Sequence, residues 1–274
     1  MASFECDQAE GLRRLLAGPR PRVFTFLSAA STSAKSAMLV NLGASLAESG
    51  RQVVLLDACI SDQGITRRMG VEMQATLLDV SRQQRALDQA LHAVPQGFHV
   101  ASLTAGSHGA LVCDTEQMRR LANAFNVLTA QSDVLLVDAE LDSDDTLPLA
   151  AMSSGDIVIQ VTPDADSIKR AYALIKRLHL GLGSRPFGIL VTGAQEQEAE
   201  AVCRNIAQVA NSYLAVKLFL VGSIPEDEQV TRAARLGRAV IDAFPRAGAA
   251  LAFRRLAERF VTADASVNRV EVGI

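Results

Sequence analysis

The sequence has no tryptophan, and aromatic residues of any kind make up only 4% of its 274 positions. Its formal net charge is -3, and no stretch of lysines and arginines is dense enough to bind duplex nucleic acid. No apolar run reaches the roughly 18 residues of a membrane-spanning helix, and the N-terminus has no apolar signal core. These absences predict a cytoplasmic protein that contacts no nucleic acid directly.

The sequence also lacks the cysteine and histidine spacings of a metal site. Its four cysteines include no CxxC pair, and its four histidines show no ligand spacing. We therefore expect reduced thiols and no structural metal. Cys59, directly after an apolar strand, is a candidate reactive thiol, but a buried, idle cysteine is the favoured interpretation.

Hydrophobic residues make up 49% of the chain, and they recur as short runs of Val, Ile, Leu and Phe separated by helical stretches. This pattern predicts a doubly wound α/β domain whose mostly parallel sheet has helices on both faces. We predict about seven strands, at 23–27, 53–57, 99–103, 134–138, 157–162, 187–191 and 218–221. The predicted helices are 35–49, 75–93, 115–131, 165–180, 195–212 and 249–261.

The predicted domain spans 22–261, between an N-terminal arm (1–21) and a flexible tail (262–274). In the arm, Asp7 can cap a short helix that carries Leu12, Leu15 and Leu16 on one side. The helix 249–261 is amphipathic, which suggests membrane attachment. The tail after it has neither a basic nor an apolar face, so we expect no autonomous membrane binding.

The first strand-to-helix loop lies where ligands bind in open α/β sheets. It reads SAASTSAKS from Ser28 to Ser36, which has the spacing of the phosphate loop GxxxxGK[ST]. Lys35 and Ser36 match the motif, whereas Ala29 and Ala34 replace both glycines. Glycine lets the backbone adopt positive φ and wrap a phosphate with its N–H groups, so two methyl groups here oppose such a cradle.

This segment, with NLGASLAESGRQVVLLD after it, resembles the MinD/ParA family of deviant Walker-A ATPases, over nearly the whole chain from Arg22 to Phe260. Three blocks are similar to the FlhG/FleN subfamily of flagellar number regulators: DQAEGLRRL, SIKRAYALIKRL and GSIPEDEQVTRAARLGRAV. The resemblance implies a P-loop NTPase fold. It also implies that the residual nucleotide site consists of Lys35, Ser36, Asp57 and Asp138. Magnesium would be held by Ser36, Asp57 and Asp138 only if a nucleotide binds.

The chain departs from the family pattern at most catalytic positions. The signature lysine falls on Ala30, and the aspartate that orients water falls on Cys59. The asparagine near the adenine corresponds to Thr192. The remaining phosphate-loop glycines fall on Ser31 and Thr32. We therefore expect no catalytic residue of its own, no cofactor, and a decayed ATPase, with ATP and magnesium as the alternative.

Five carboxylates lie within eight residues at the end of the fourth predicted strand: Asp138, Glu140, Asp142, Asp144 and Asp145. A like-charge pair about 4 Å apart costs about 4 kcal/mol at an effective dielectric near 20. The cluster therefore opposes binding of a nucleotide. The alternative is that these acids only solvate a loop.

The subfamily resemblance implies a regulator of flagellar number or placement that acts by protein contacts. Its N-terminal segment would stimulate FlhF, a signal-recognition-type GTPase, with Gln8 approaching the partner's nucleotide site and Asp7, Leu12 and Arg13 positioning the segment. Flagellar switch or transcription-regulator proteins are further implied partners, and a partner would recruit the chain to the cell pole or the inner membrane face.

Two alternatives remain open from the sequence. One is a slow ATPase that dimerises with nucleotide, supported by the four retained family residues. The other is a MinD-like accessory of another envelope assembly system, with the arm merely structural.

Overall fold

The computed structural model describes residues 21–105 and 113–262. The four partner-activating candidates, Asp7, Gln8, Leu12 and Arg13, lie outside the described residues. No helix in the described ranges is both long and apolar enough to cross a membrane.

The described strands form one sheet in the order β3-β4-β2-β5-β1-β6-β7-β8. All neighbouring pairs run parallel except β3 and β4, which are antiparallel. This confirms the predicted α/β architecture, with eight strands rather than about seven. The strands are β1 (Arg22–Ser28), β2 (Val53–Ala58), β3 (His92–Ala93), β4 (His99–Ser102), β5 (Val134–Ala139), β6 (Asp156–Val161), β7 (Phe187–Thr192) and β8 (Leu218–Ile224).

Helices cover both faces of this sheet. They are α1 (Thr32–Glu48), α2 (Ile65–Met69), α3 (Leu77–Ser81), α4 (Thr115–Ala130), α5 (Ala165–Leu182), α6 (Glu196–Leu214), α7 (Glu228–Arg235), α8 (Val240–Ala243) and α9 (Gly248–Thr262). Helices α4, α5 and α6 pack on one face, and α1 and α9 pack on the other. Because both faces are covered, β2 and β5 are buried along their whole length.

The predicted helix over 75–93 is wrong. Thr76 caps α3 and bonds with Asp79 in a capping box, but the helix ends at Ser81. Gln83 then adopts a positive φ of 60°, which no α-helix tolerates. A 3-10 turn (Leu87–Ala90) and the edge strand β3 complete the segment.

Three short helices, α2, α7 and α8, were absent from the sequence prediction. Each has eight residues or fewer, too few for a 3.6-residue period to stand out. Helix α1 also begins three residues before its predicted start at Lys35, a difference that reshapes the candidate site.

Candidate functional site

The four residues of the implied nucleotide site lie together at the carboxyl ends of β1, β2 and β5. Lys35 and Ser36 lie in the first two turns of α1, directly after β1. Asp57 and Asp138 are register partners on β2 and β5. Parallel strands bring their carboxyl ends to one edge, which is why residues 102 positions apart, Ser36 and Asp138, are in contact.

Lys35 forms a buried ion pair with Asp138. Its Nζ lies 2.8 Å from Asp138 Oδ1, and the side chains are 1% and 0% exposed. Nζ also donates to the carbonyl oxygen of Ala139. Burial opposes the positive charge, but the attraction and hydrogen bond of the Asp138 carboxylate, together with the attraction of Cys59 and Glu140, outweigh it and raise the pKa of Lys35. The lysine is thus held, charged, inside the protein.

Ser36 and Asp57 have internal partners as well. Ser36 Oγ donates to Asp138 Oδ2 at 2.8 Å and lies 3.0 Å from the carbonyl oxygen of Gln63. Asp57 Oδ2 accepts from the backbone N–H and the hydroxyl of Thr66, at 2.9 and 2.5 Å. Burial raises the pKa of Asp57 although the Thr66 hydrogen bonds oppose the shift. These contacts tie α2 and the loop before it to the site.

The loop between β1 and α1 is short, and its backbone is not cradle-shaped. Every described residue with positive φ lies outside 28–36. Ser31 caps α1, and its Oγ accepts from Ala34 N at 3.2 Å. The Ala29 N–H donates to Gln160 O at 2.8 Å, and the Ala30 N–H donates to Ser28 Oγ at 3.0 Å. Because helix replaces part of the loop, several amides that would face a phosphate already have acceptors.

Glu140 is half-buried at the same edge and bonds to two other segments. Its Oε1 accepts from the hydroxyls of Thr32 at 2.6 Å and Ser61 at 2.8 Å. Its Oε2 accepts from the backbone N–H groups of Ile60 at 3.0 Å and Ser61 at 2.8 Å. Burial would raise the pKa of Glu140, yet the hydrogen bonds from Thr32 and Ser61 lower it overall.

Of the five clustered carboxylates, Asp138 and Glu140 contact the other residues of the site. Asp142 accepts hydrogen bonds within its own loop, from the N–H and hydroxyl of Thr146 at 2.8 Å each. Asp145 pairs with Arg177. The repulsion expected from five adjacent acids is therefore smaller than the sequence suggests, and Lys35 offsets part of what remains.

Cys59 lies beside the ion pair. Its Sγ is 3.9 Å from Lys35 Nζ and 3.5 Å from the carbonyl oxygen of Asp138. Burial raises the pKa of this thiol, so it is held in its protonated form, which is a poor nucleophile.

Sequence reasoning missed the roles of Thr32, Thr66 and Gly64. A Cβ atom added at Gly64 would lie 2.2 Å from Asp57 Oδ1, so glycine at this position allows the loop to approach the carboxylate. The motif alignment identifies Thr32 only as a replacement for a phosphate-loop glycine. The DQG turn signal at 62–64 could have indicated a tight approach, but not its target.

The sheet order, with a lysine and a serine after β1 and aspartates near the ends of β2 and β5, is the layout of the P-loop NTPase fold. The model of the CobQ/CobB/MinD/ParA nucleotide binding domain family matches residues 24–240, and the chain belongs to this family. Within it the chain is FleN-like: it is 32% identical over 226 residues to the antiactivator FleN of Pseudomonas aeruginosa, covering 82% of this chain and 81% of that protein.

Other relatives agree with this placement. The septum site-determining protein MinD of Helicobacter pylori is 27% identical over 229 residues, which covers 80% of this chain and 83% of that protein. Among solved structures, MinD of Pyrococcus horikoshii, complexed with Mg-ADP, matches with a TM-score of 0.65 at 19% identity, covering 88% of this chain and 96% of that one. At this identity the match defines the fold. The resemblance drawn from sequence motifs is confirmed.

Proposed function

We propose that this chain regulates flagellar number or placement through protein contacts and has lost ATPase chemistry of its own. The similarity to the antiactivator FleN supports the pathway. We infer the loss of ATP hydrolysis from the position of Lys35, whose side chain is buried in an ion pair with Asp138. It is not presented to the open end of the loop.

The residues at the site do not fit a bound Mg-ATP. A phosphate cradle needs free backbone amides and, usually, glycine at positive φ. Here α1 extends through Thr32, and no residue of 28–36 has positive φ. The ion pair also occupies the lysine and the aspartate that would meet phosphate and magnesium. Without a nucleotide switch, we expect the chain to remain monomeric or to be regulated by its abundance.

The partner we propose is an FlhF-type signal-recognition GTPase. The N-terminal segment DQAEGLRRL supplies the contact, with Gln8 orienting water at the partner's nucleotide and Asp7, Leu12 and Arg13 positioning the segment. A polar side chain that orients water is enough to accelerate a GTPase. Flagellar switch and transcription-regulator proteins are further proposed partners, and recruitment by a partner would place this cytoplasmic protein at the pole or the inner membrane face.

The test measures GTP hydrolysis by FlhF with the full chain and its variants. We expect stimulation by the wild-type chain and its loss in Gln8→Ala. Arg14→Ala is the control: it changes the same segment at a position with no proposed role, and it should stimulate like wild type. Stimulation that survives Gln8→Ala would contradict the role of this residue. A wild-type chain that leaves GTP hydrolysis unchanged would contradict the partner assignment and favour the alternative of an accessory in another envelope system.

A further inference from the structure

Glu140 joins three chain segments that follow three different strands. Thr32 comes after β1, Ile60 and Ser61 come after β2, and Glu140 itself follows β5. The Glu140 carboxylate accepts from the Thr32 hydroxyl at 2.6 Å and from the Ser61 N–H at 2.8 Å. One side chain therefore holds the start of α1 against the loop 59–63.

The groups around this carboxylate form the donor set of an oxyanion site. Two consecutive backbone N–H groups, from Ile60 and Ser61, point at one oxygen, and two hydroxyls, from Thr32 and Ser61, point at the other. Successive amides and hydroxyls in a concave arrangement favour a charged oxygen ligand. In this chain the charged oxygens are those of the Glu140 carboxylate, a side chain of the protein itself.

The other end of the loop 59–63, at Gln63, also contacts α1. Ser36 Oγ lies 3.0 Å from the carbonyl oxygen of Gln63 and 2.8 Å from Asp138 Oδ2. Lys35, in the preceding position of α1, adds an electrostatic attraction to Glu140. The loop is thus fixed to α1 at both ends, without any bound ligand.

We propose that Glu140 is an internal anion that closes the loop 59–63 onto α1 and excludes an external oxyanion, such as a phosphate group, from that place. We call these contacts of Glu140 the Glu140 latch. The inference rests on the proposed loss of nucleotide chemistry and deepens it, because the latch makes the closed arrangement a property of the free chain.

The test is amide hydrogen exchange of the full chain, without nucleotide or partner, in wild type, Glu140→Gln and Glu140→Ala. Losing a hydrogen bond to a charged acceptor should speed exchange at Ile60 and Ser61 by about tenfold or more. Asp144→Asn is the matched control, because it removes an exposed acid from the same loop as Glu140. Unchanged exchange at both amides in both Glu140 variants would overturn the latch.

A second arm tests the exclusion of an external anion. Inorganic phosphate at millimolar concentration should slow the exchange of these amides in Glu140→Ala and leave wild type unchanged. Fast exchange in the variant with no phosphate effect would overturn the claim that the place suits an oxyanion. Neither arm contains ATP or FlhF, so these measurements test the Glu140 latch separately from the proposed function. Either proposal can be contradicted by its own experiment while the other one stands.

Discussion

Replacing Lys35 with methionine tests whether the Lys35–Asp138 pair stabilises the fold. Methionine keeps most of the aliphatic stem and removes only the charge and its hydrogen bonds. The Nζ–Oδ1 distance is 2.8 Å and both side chains are buried. The substitution therefore leaves the Asp138 carboxylate in the interior without its cation.

Removing one partner of a buried ion pair costs about 3 to 5 kcal/mol. Asp138 keeps one hydrogen bond, from Ser36 at 2.8 Å, so we expect a loss near the lower end, about 3 kcal/mol. The double variant Lys35→Met with Asp138→Asn should be more stable than Lys35→Met alone, because no unpaired charge remains inside.

Urea unfolding at neutral pH, followed by far-UV circular dichroism, measures these differences in the free energy of unfolding. The chain has no tryptophan, so helix content is a more direct signal than fluorescence. Lys169→Met is the control: its 3.5 Å pair with Asp166 is exposed, at 78% and 77%, and its removal should cost nothing measurable. A loss of less than about 1 kcal/mol in Lys35→Met would refute the reasoning.

The same unfolding assay tests three further contacts. Gly64→Ala should cost about 2 kcal/mol or more, since the added Cβ would lie 2.2 Å from Asp57 Oδ1; Gly181→Ala in α5, with its nearest atom at 3.9 Å, should cost nothing. Asn41→Ala should cost about 1 to 3 kcal/mol, because it removes the 2.7 Å acceptor of a buried backbone N–H at the start of α8. Glu140→Gln should be less stable than wild type above pH 4.5, and the difference should shrink as the pH falls below that ordinary value, because the lowered pKa stabilises the fold only while the carboxylate is ionised. Equal free energies of unfolding for Gly64→Ala and Gly181→Ala would contradict the first expectation. For the second, the contradicting result is an Asn41→Ala chain as stable as wild type. For the third, it is a stability difference between Glu140→Gln and wild type that does not change with pH.

The strands could be predicted because a sheet covered on both faces needs continuous apolar runs, such as VVLLDA in β2 and VLLVDA in β5. The segment 75–93 could not, because its helical composition is interrupted by the positive φ of Gln83. Gln83 closes α3 through local bonds, since its N–H donates to Val80 O and the Gln84 N–H donates to Asp79 O, each at 3.0 Å. Glycine or asparagine usually marks such an ending, so the glutamine gave no signal. Short helices fail because packing, not periodicity, determines them.

The location of the candidate site could be predicted from the sequence, but the hydrogen bonds and ion pairs within it could not. The family resemblance implied that Lys35, Ser36, Asp57 and Asp138 form one site, and the meeting of parallel strand ends at one edge explains why they lie together. The direction of the lysine and the contacts of Glu140 depend on the path of two loops, which no local pattern specifies. The five clustered acids illustrate this: sequence proximity implied a shared position, yet Asp142 accepts from Thr146 and Asp145 pairs with Arg177.

Isothermal titration calorimetry of the full chain with Mg-ATP tests the central claim most directly. With Lys35 buried against Asp138 and the N–H groups of Ala29, Ala30 and Ala34 bonded internally, we expect no binding up to millimolar nucleotide. Binding at micromolar concentration that Lys35→Ala abolishes would contradict the account, because it would mean that this lysine leaves its partner to hold a phosphate.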